Sequence, residues 1–394
     1  MKIAVINSGS SSIKFKLYKM PQSELLAHLH IEKIGEASSK ITFRYADKKE
    51  LFENKIDNHH EGLKFINKTL KEYQILEHFS LLDAIAHRVV HGGDFFKSAT
   101  LIDKDVISKI RELIVLSPLH NEANLEGILV SLKKAPDVPQ IALFDTSFHS
   151  SLPKEAYLYA LPYELYKEHK IRRFGFHGIS HAYVLKKVAH LMQKRADELN
   201  IITLHLGNGS SACAIQNGKS IDTSMGFSPL EGLIMGSRSG DIDPQIVIYL
   251  QKELGYTMDE TEKMLNRGSG LLGICGEIDL REIIKKDDEL SRLAIDMMSR
   301  RVKKYIGSYM ALLGRVDAIA FCAGIGENSP LIREKIVQNL ELFGIELESE
   351  ANEKNLTKIS KQTSKIELFV IKTDEELEIA LEAAALIEKN TKAN

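Results

Sequence analysis

Two turns rich in glycine, asparagine and serine recur in the chain, each between two short apolar segments. They are residues 7–12 (NSGSSS) and residues 207–211 (GNGSS). Each has the strand–turn–strand pattern of a β-hairpin, and a hairpin turn alone would explain either copy. Because there are two copies, we expect duplicated domains whose turns face each other and offer backbone N–H groups and hydroxyls to a phosphate chain.

Two arginines lie in segments that are poorly suited to a solvated surface. Arg88 stands in an apolar run that ends in Gly92 and Gly93, and Arg238 lies between two serines in a glycine-flanked loop. A guanidinium binds carboxylate or phosphate through two parallel hydrogen bonds. The structural alternatives are a buried ion pair for Arg88 and a local pair with Asp241 for Arg238.

Three further polar residues complete the set. Asp145 follows the apolar run 141–144, at the carboxyl end of a predicted strand, where ligands bind in open α/β sheets. His120 follows Ser117-Pro118-Leu119, and His177 lies among glycine and aromatic residues. A turn or helix cap for Asp145 and a structural role for His177 remain alternatives. Arginines, histidines, a carboxylate and two phosphate-binding turns together favour phosphoryl transfer, which depends on positioning and charge neutralisation.

Familiar nucleotide and metal motifs fit the chain poorly. Residues 218–220 (GKS) resemble the end of a P-loop, but Cys213 occupies the position of its first glycine. A GxGxxA match at residues 207–212 continues into an apparent strand rather than a helix, which argues against a dinucleotide fold. His177 and His181 have the spacing of a zinc protease but lack its glutamate.

The elements that must position these residues alternate along the chain. Helices, the last with a capping pattern at Thr373 and Glu376, are predicted around residues 61–73, 104–116, 287–313 and 373–388. Strands are predicted at residues 3–6, 13–18, 141–144, 201–206, 212–216 and 317–322. This alternation indicates α/β layers, and a chain of 394 residues indicates two or three domains.

Composition narrows the class of protein. The net charge of −2 and the 27% of charged residues exclude a strongly basic nucleic-acid binder. No apolar run is long enough to span a membrane, and the first residues lack the pattern of a signal peptide. The three cysteines (Cys213, Cys275 and Cys322) are far apart, so we expect a cytoplasmic protein without disulfides that binds neither nucleic acid nor membrane.

At these residues the chain resembles the acetokinase family, in the superfamily of actin, hexokinase and the Hsp70 ATPase domain. The matching segments follow in family order at residues 5–14, 87–93, 117–121, 144–149, 173–181, 205–209, 226–232, 235–244, 323–328 and 373–377. The resemblance implies two duplicated ribonuclease-H-like (actin-like ATPase) α/β domains with a nucleotide cleft between them. Residues 1–147 plus 373–394 would form the first domain, and residues 148–372 the second, nucleotide-binding domain.

The resemblance implies reversible phosphoryl transfer from ATP to acetate, which gives acetyl phosphate and ADP, with Mg²⁺ or with Mn²⁺ as a substitute. It also implies a homodimer. A propionate or other short-chain carboxylate kinase would use the same parts, although Val90, rather than a smaller residue, favours acetate. A nucleotide-switched interaction protein of the Hsp70 or actin kind is the non-enzyme alternative, but it would not need Arg88, His177 and Arg238 together.

The resemblance also assigns roles to residues. It places Asn7 and Glu375 at the metal. It gives catalytic roles to Arg88, His120, Asp145, His177 and Arg238. The acetate would bind Arg88, with its methyl group among Val90, Leu119, Phe176 and Pro229. ATP would lie against Ser10, Ser12, Lys14, His205, Leu206, Gly207, Asn208, Gly209, Asp279, Leu280, Arg281, Gly324, Ile325, Gly326, Glu327 and Asn328.

Chemistry limits the role of Asp145. Acetate is already ionised at neutral pH, so its oxygen needs no general base to attack phosphorus. We therefore hypothesise that Asp145 orients Arg238 or the metal, although the family's usual role for this residue is proton donor or acceptor. Departures from the family pattern are Cys275 where serine is common, Asp374 where asparagine is frequent, and a segment before Asp279 that is one residue short.

Overall fold

The computed structural model describes residues 1–393, except the side chains of Leu119 and Ala393. The strands are β1 (Lys2–Gly9), β2 (Ser12–Lys19), β3 (Glu24–Glu32), β4 (Ser39–Tyr45), β5 (Lys48–Asn54), β6 (Ala84–Val89), β7 (Thr100–Leu101), β8 (Gln140–Phe144), β9 (Asn200–Leu206), β10 (Ser210–Gln216), β11 (Lys219–Thr223), β12 (Ala318–Cys322) and β13 (Glu367–Ile371).

The α-helices are α1 (His59–Glu72), α2 (Lys104–Glu112), α3 (Pro118–Lys134), α4 (Lys154–Tyr157), α5 (Tyr163–His169), α6 (Gly178–Leu191), α7 (Pro244–Lys252), α8 (Met258–Arg267), α9 (Gly270–Cys275), α10 (Leu280–Lys286), α11 (Glu289–Leu313), α12 (Ala323–Asn328), α13 (Pro330–Val337), α14 (Ser349–Glu353) and α15 (Glu375–Ala393). The chain forms two compact units, of which the first is residues 1–148 with the segment from Asp374 onward and the second is residues 149–373.

The first unit is built on a sheet with strand order β5-β4-β3-β2-β1-β6-β8-β7. Neighbouring strands from β5 to β1 are antiparallel, whereas β1, β6 and β8 are parallel. One face of the sheet packs against α1, where Phe15 and Leu29 lie in one cluster with Leu63 and Ile66. These apolar side chains alternate along their strands, as expected for a sheet with one face in the core.

The opposite face of this sheet is polar around its centre and is contacted by α15. Lys16 on β2 binds Asp374 (2.7 Å) and Glu376 (3.1 Å) at the start of that helix. The side chain that caps α15 is Asp374, which accepts from the backbone N–H of Leu377 at 3.1 Å. The prediction of Thr373 as the cap was wrong, because Asp374 reaches the free N–H group and Glu376 is held by Lys16.

The second unit repeats the central pattern of the first. Its strand order is β11-β10-β9-β12-β13, antiparallel from β11 to β9 and parallel from β9 to β13. The strands β3-β2-β1-β6-β8 have the same order and directions. The two serine- and glycine-rich turns therefore join corresponding hairpins, β1–β2 and β9–β10, as the internal repeat predicted. Because β10 is a strand, the GxGxxA match does not begin a dinucleotide-binding helix.

Long helices cover both faces of the second sheet. Leu204 and Ala212 pack on one face in a cluster with Val302 and Ile306 of α11, and α6 contacts the strands β9, β12 and β13. Polar side chains on β9 and β10 alternate with these core residues, so they point to the opposite face, which α6 covers. Within residues 1–393, no helix has the length and apolar composition needed to cross a membrane.

Candidate active site

In the first unit, three predicted site residues lie near the carboxyl ends of parallel strands. Ile6 pairs with His87 and Val89 pairs with Phe144, so Asn7, Arg88 and Asp145 lie near the carboxyl ends of β1, β6 and β8. Asp145 is placed by its backbone N–H, which donates to the carbonyl of Val89 at 3.0 Å. Parallel strands bring side chains from distant parts of the sequence to one sheet edge in this way.

Arg88 and Asp145 form a two-pronged ion pair. Arg88 Nε donates to Oδ1 of Asp145 at 3.1 Å and Nη2 donates to Oδ2 at 2.6 Å. Glu375 Oε2 lies 3.8 Å from Arg88 Nε. Burial lowers the pKa of the Arg88 guanidinium, but the charges of Asp145 and Glu375 outweigh burial and hold the pKa above its ordinary value. Asp145 thus orients Arg88 within the first unit, and an orienting role for Asp145 toward Arg238 or the metal stays a prediction.

The first hairpin carries further predicted residues. Gly9 pairs with Ser12, so Ser10 and Ser11 form an exposed two-residue turn. Lys14 is exposed on β2 and pairs with Asn7 across the hairpin, which places both side chains on the face that α15 contacts. Among the residues that the structure describes, none binds the Asn7 amide, so its oxygen is available to a ligand.

Helix α3 fixes the segment that follows Arg88. Asn124 accepts from the N–H of Val90 at 3.0 Å and donates to the carbonyl of Ser8 at 2.7 Å, which ties β1 to the residues after β6. Val90 is half-buried there, and His120 is exposed in the first turn of α3. The side chain of Leu119, predicted in the acetate pocket, lies outside the described residues.

In the second unit, the predicted ATP segments surround one cavity of about 620 Å³. It lies between the turn after β9, the start of α10 and the helix α12. Its lining residues are Gly207, Asn208, Glu277, Ile278, Asp279, Leu280, Arg281, Ile284, Gly324, Ile325, Asn328 and Ser329. Pockets of this size with a few polar groups among apolar walls hold small ligands.

Several predicted ATP residues already have partners. Asp279 caps α10 and binds the exposed guanidinium of Arg281, which lowers the pKa of this carboxyl to about 2. Glu327 accepts from both the backbone N–H and the hydroxyl of Thr373 at 2.9 Å. The side chain of Leu206 is fully buried in the core, so only its backbone could face a nucleotide. Gly326 packs closely on the backbone of β12, where a Cβ would lie 3.3 Å from Phe321.

His177, Gly209 and Arg238 meet beside this cavity. A Cβ on Gly209 would lie 3.4 Å from Cε1 and Nε2 of His177 and 3.8 Å from Nη1 of Arg238. The ring of His177 also stacks on that of His205, with centroids 4.1 Å apart. His177 has φ 56° and ψ 22°, so it holds the left-handed conformation just before α6. Such a conformation is strained for a residue with a side chain and is found at functional sites.

Arg238 has a different environment from Arg88. Its Nη1 donates to the carbonyl of Pro229 at 3.2 Å, and no carboxylate of the described residues is within ion-pair distance. Burial without a counter-charge lowers the pKa of this guanidinium. The alternative of a pair with Asp241 is wrong, since Asp241 accepts from Tyr305 at 2.7 Å and lies 3.6 Å from Arg301.

A second ion pair holds the segment before His177. Arg173 donates to Glu231 and to the backbone carbonyls of residues 223–225. Glu231 also accepts from Tyr159, whose oxygen in turn accepts from the N–H of Phe227. This network fixes the chain segments of Phe176, which is buried, and of Pro229, which is half-buried.

Sequence reasoning missed several of these residues. Glu277, Ile278 and Ile284 line the cavity but belong to no motif, and only their closeness to Asp279 could have suggested them. Arg173 and Glu231 lie in matched segments, yet their pairing joins residues 58 positions apart and has no sequence signal.

Comparisons of the sequence with known proteins all point to one family. The model of the acetokinase family matches residues 2–381. The chain is 84% identical to the acetate kinase of Sulfurimonas denitrificans, over 98% of this chain and 100% of that protein. It is 50% identical to the acetate kinase of Campylobacter concisus, over 99% and 100% of the two chains.

Solved structures agree with these sequence matches. The crystal structure of Porphyromonas gingivalis acetate kinase has a TM-score of 0.93 and 40% identity, and the match covers 98% of this chain and 99% of the other. A propionate kinase from Francisella tularensis has a TM-score of 0.92 and 42% identity, with 97% and 98% covered.

Proposed function

The chain belongs to the acetokinase family, and from that premise we propose how its residues carry the reaction. The activity is phosphoryl transfer from ATP to the carboxylate of acetate, which gives acetyl phosphate and ADP. We assign nucleotide binding to the second unit and the residues for the carboxylate and the metal to the first, with each unit a domain of the duplicated fold.

The cavity of the second unit supports the nucleotide assignment. Ile278, Ile284 and Ile325 give it apolar walls suited to an adenine ring, and Gly207 and Gly324 bring backbone close to its rim. Polar groups from Asn208 and Asn328 lie in the same lining. A base needs an apolar wall, whereas phosphates need backbone N–H groups and small residues.

The observation that carries the proposal is the half-buried guanidinium of Arg238, which has no carboxylate partner among the described residues. A buried cation without a counter-charge is costly in the free protein and is expected where an anion binds. His177 Nε2 and Arg238 Nη1 lie 3.4 Å and 3.8 Å from the same point, the Cβ position of Gly209, so both donors can reach a group placed against that glycine. We assign Arg238 and His177 to the transferring phosphoryl group, whose charge they would stabilise most in the transition state.

Arg88 has the geometry to hold the carboxylate of acetate, since Asp145 fixes its guanidinium plane from one side. Acetate attacks as the anion, so no residue needs to remove a proton. We assign Asp145 an orienting role. We assign Val90, which follows Arg88 in the first unit, to the methyl group of acetate.

The donors for Mg²⁺ are the amide oxygen of Asn7 and the carboxylate of Glu375. These are oxygen ligands, which Mg²⁺ prefers, and two protein ligands suit an ion that keeps several waters and binds substrate phosphates. When bound, Mg²⁺ neutralises charge on the phosphates. Mn²⁺ accepts the same ligands and is expected to substitute.

We also propose a cytoplasmic homodimer. None of the residues of α7, all of which the structure describes, is buried, although the helix carries Ile246, Ile248 and Tyr249 with 45%, 41% and 55% of their surface exposed. Exposed large apolar side chains of this kind are typical of a surface that a second copy could cover. Sedimentation of the Tyr249→Lys variant should show monomers where the unmodified chain shows dimers.

The activity is tested by trapping the acyl phosphate with hydroxylamine. ATP, Mg²⁺ and the chain are incubated with acetate, propionate or butyrate in turn. We expect acetate to be the best substrate and propionate to be poorer by roughly tenfold, because one methylene changes binding by about 1–3 kcal/mol. ATP hydrolysis that ignores acetate would contradict the proposal, and propionate as the best substrate would favour the alternative.

A further inference from the structure

A chain of four side chains runs behind His177 inside the second unit. Thr203 Oγ1 lies 2.7 Å from Nδ1 of His181, and Nε2 of His181 lies 2.8 Å from Ser211 Oγ. Ser211 Oγ lies 2.9 Å from Nδ1 of His177. Thr203, His181 and Ser211 are each fully buried. The relay therefore has one end in the core and the other on the proposed catalytic histidine.

The fold builds this relay from a hairpin and a helix. Ser211 pairs with His205 and Cys213 with Thr203, so Thr203 and Ser211 lie on one face of β9 and β10. His181 lies in the first turn of α6, four residues after His177, and four residues bring two helical side chains to the same side. The hydroxyls on the sheet thus alternate with the imidazoles beside the helix.

The direction of the hydrogen bonds can be worked out from the buried end. In the described part of the chain, the Thr203 hydroxyl has His181 as its only side-chain or backbone acceptor. Burial holds the pKa of His181 well below its usual value, so this ring is neutral and carries one N–H. If His181 carried its proton on Nδ1, the Thr203 proton would be buried without an acceptor, at a cost of about 1–3 kcal/mol.

All four groups are satisfied in one arrangement. Thr203 donates to Nδ1 of His181, Nε2–H of His181 donates to Ser211, and the Ser211 hydroxyl donates to Nδ1 of His177. Nδ1 of His177 is then an acceptor, and its proton lies on Nε2, the atom beside Gly209. A hydroxyl has one donor, so Ser211 cannot donate to both rings.

We propose that Ser211, supported by His181 and Thr203, is a positioning residue that holds His177 in the tautomer with its proton on Nε2. His177 then presents a donor, rather than a lone pair, to an oxygen of the transferring phosphoryl group. The inference rests on the proposed role of His177. Titratable or charged groups near this ring, among the described residues, include His205, which stacks on it, His181 behind Ser211, and Arg238 near Gly209.

The sharpest test changes the far end of the relay. Thr203→Val removes the hydroxyl proton but keeps the shape of the side chain, and it touches neither His177 nor Gly209. ¹⁵N spectra of the full chain labelled in histidine report the protonation of each ring nitrogen, with His177 assigned by its loss in His177→Gln. We expect Nε2–H alone in the unmodified chain, a tautomer mixture in Thr203→Val, and recovery in Thr203→Ser.

Ser211→Ala should have the larger effect on turnover. We expect kcat to fall about tenfold, as is typical when an outer hydrogen-bond partner of an active residue is removed, with little change in KM for acetate or ATP. Ser220→Ala is the matched control, because Ser220 makes a similar buried bond of 2.8 Å to Nδ1 of His149. It should lower stability by a similar amount without changing the tautomer of His177.

The outcomes separate this inference from the proposed function. Unchanged kcat and an unchanged His177 spectrum in Ser211→Ala would overturn the inference, as would a proton on Nδ1 in the unmodified chain. If His177→Ala loses turnover while Ser211→Ala does not, only the positioning role fails. If His177→Ala retains full turnover, the catalytic assignment of His177 itself fails.

Discussion

Arg88 and Arg238 are two half-buried guanidinium groups with opposite surroundings. Arg88 forms an ion pair with Asp145 and lies near Glu375. Arg238 donates to a backbone carbonyl and has no carboxylate partner among the described residues. The first has its pKa raised and the second has its pKa lowered. A compensated arginine is oriented before substrate arrives, while an uncompensated one gains its counter-charge from the substrate.

The largest effect is expected from Arg238→Ala. Removing a charge-assisted donor that acts mainly in the transition state should lower kcat by about 10²–10³, or about 3–4 kcal/mol. Because Arg238 has no ion pair to lose, the melting temperature should stay constant or rise. Acyl-phosphate trapping and calorimetry measure the two quantities. A clear loss of stability with normal turnover would contradict the prediction, because it would mean that Arg238 serves the fold rather than the reaction.

Arg88→Ala should show the opposite balance. It leaves the Asp145 carboxylate, with only 3% of its side chain exposed, without its cation, so the free energy of unfolding should fall by about 2–3 kcal/mol. Turnover should fall and KM for acetate should rise. Urea unfolding and steady-state kinetics provide the measurements.

The double variant Arg88→Ala with Asp145→Asn is the control for that prediction. Removing both charges should recover part of the lost stability but none of the activity, since a neutral amide then replaces the buried carboxylate. Strictly additive losses of stability would mean that the pair is not coupled. Arg88→Lys should keep charge but lose the two-pronged geometry, and so give an intermediate result.

Three buried histidines predict how the stability of the protein depends on pH. Burial lowers the pKa of His87, His91 and His149 to about 4, and each is neutral in the folded chain. The unfolded chain binds these protons near pH 6.5, so stability is complete above that pH and is lost as pH falls toward 4. From pH 7 to pH 6 the free energy of unfolding should fall by about 0.7 kcal/mol per histidine. Urea titrations at the two pH values measure it, and constant stability would contradict burial as the cause.

The smallest effect is expected from Lys16→Met, which tests the environment of Glu375. Lys16 binds both neighbours of that residue, Asp374 and Glu376, and so fixes the start of α15. Losing it should raise the Mg²⁺ concentration for half-maximal activity roughly threefold, in line with an ion pair worth under about 1 kcal/mol. Lys19→Met is the matched control on the same strand, because Lys19 is exposed and its partner, Glu24, is far from the site.

The sequence predicted the paired hairpins and the buried strands well, because each depends on neighbouring residues. Residues 212–216 form a short apolar run that is typical of a buried strand, and this local pattern argued against the dinucleotide fold. The cap of α15 was misplaced by one residue, since Thr373 and Asp374 are both good caps and only Lys16, far along the chain, draws Glu376 away.

Pairings between distant residues were beyond sequence reasoning. Asp241 is near Arg238 in sequence, yet it binds Tyr305 and lies close to Arg301, about 60 positions away. Asp145 reaches Arg88 only because β6 and β8 are parallel neighbours. Residue type and strand position identified Asp145 as a candidate, but its partner depends on the register of the sheet.

The left-handed backbone at His177 has a consequence for engineering. Glycine adopts that conformation without the steric penalty that a side chain incurs, so His177→Gly would relieve strain while removing the imidazole. A library of variants selected only for heat resistance would accumulate glycine there and yield durable but inactive proteins. Selection on acyl-phosphate formation would keep histidine at position 177 despite its strained backbone.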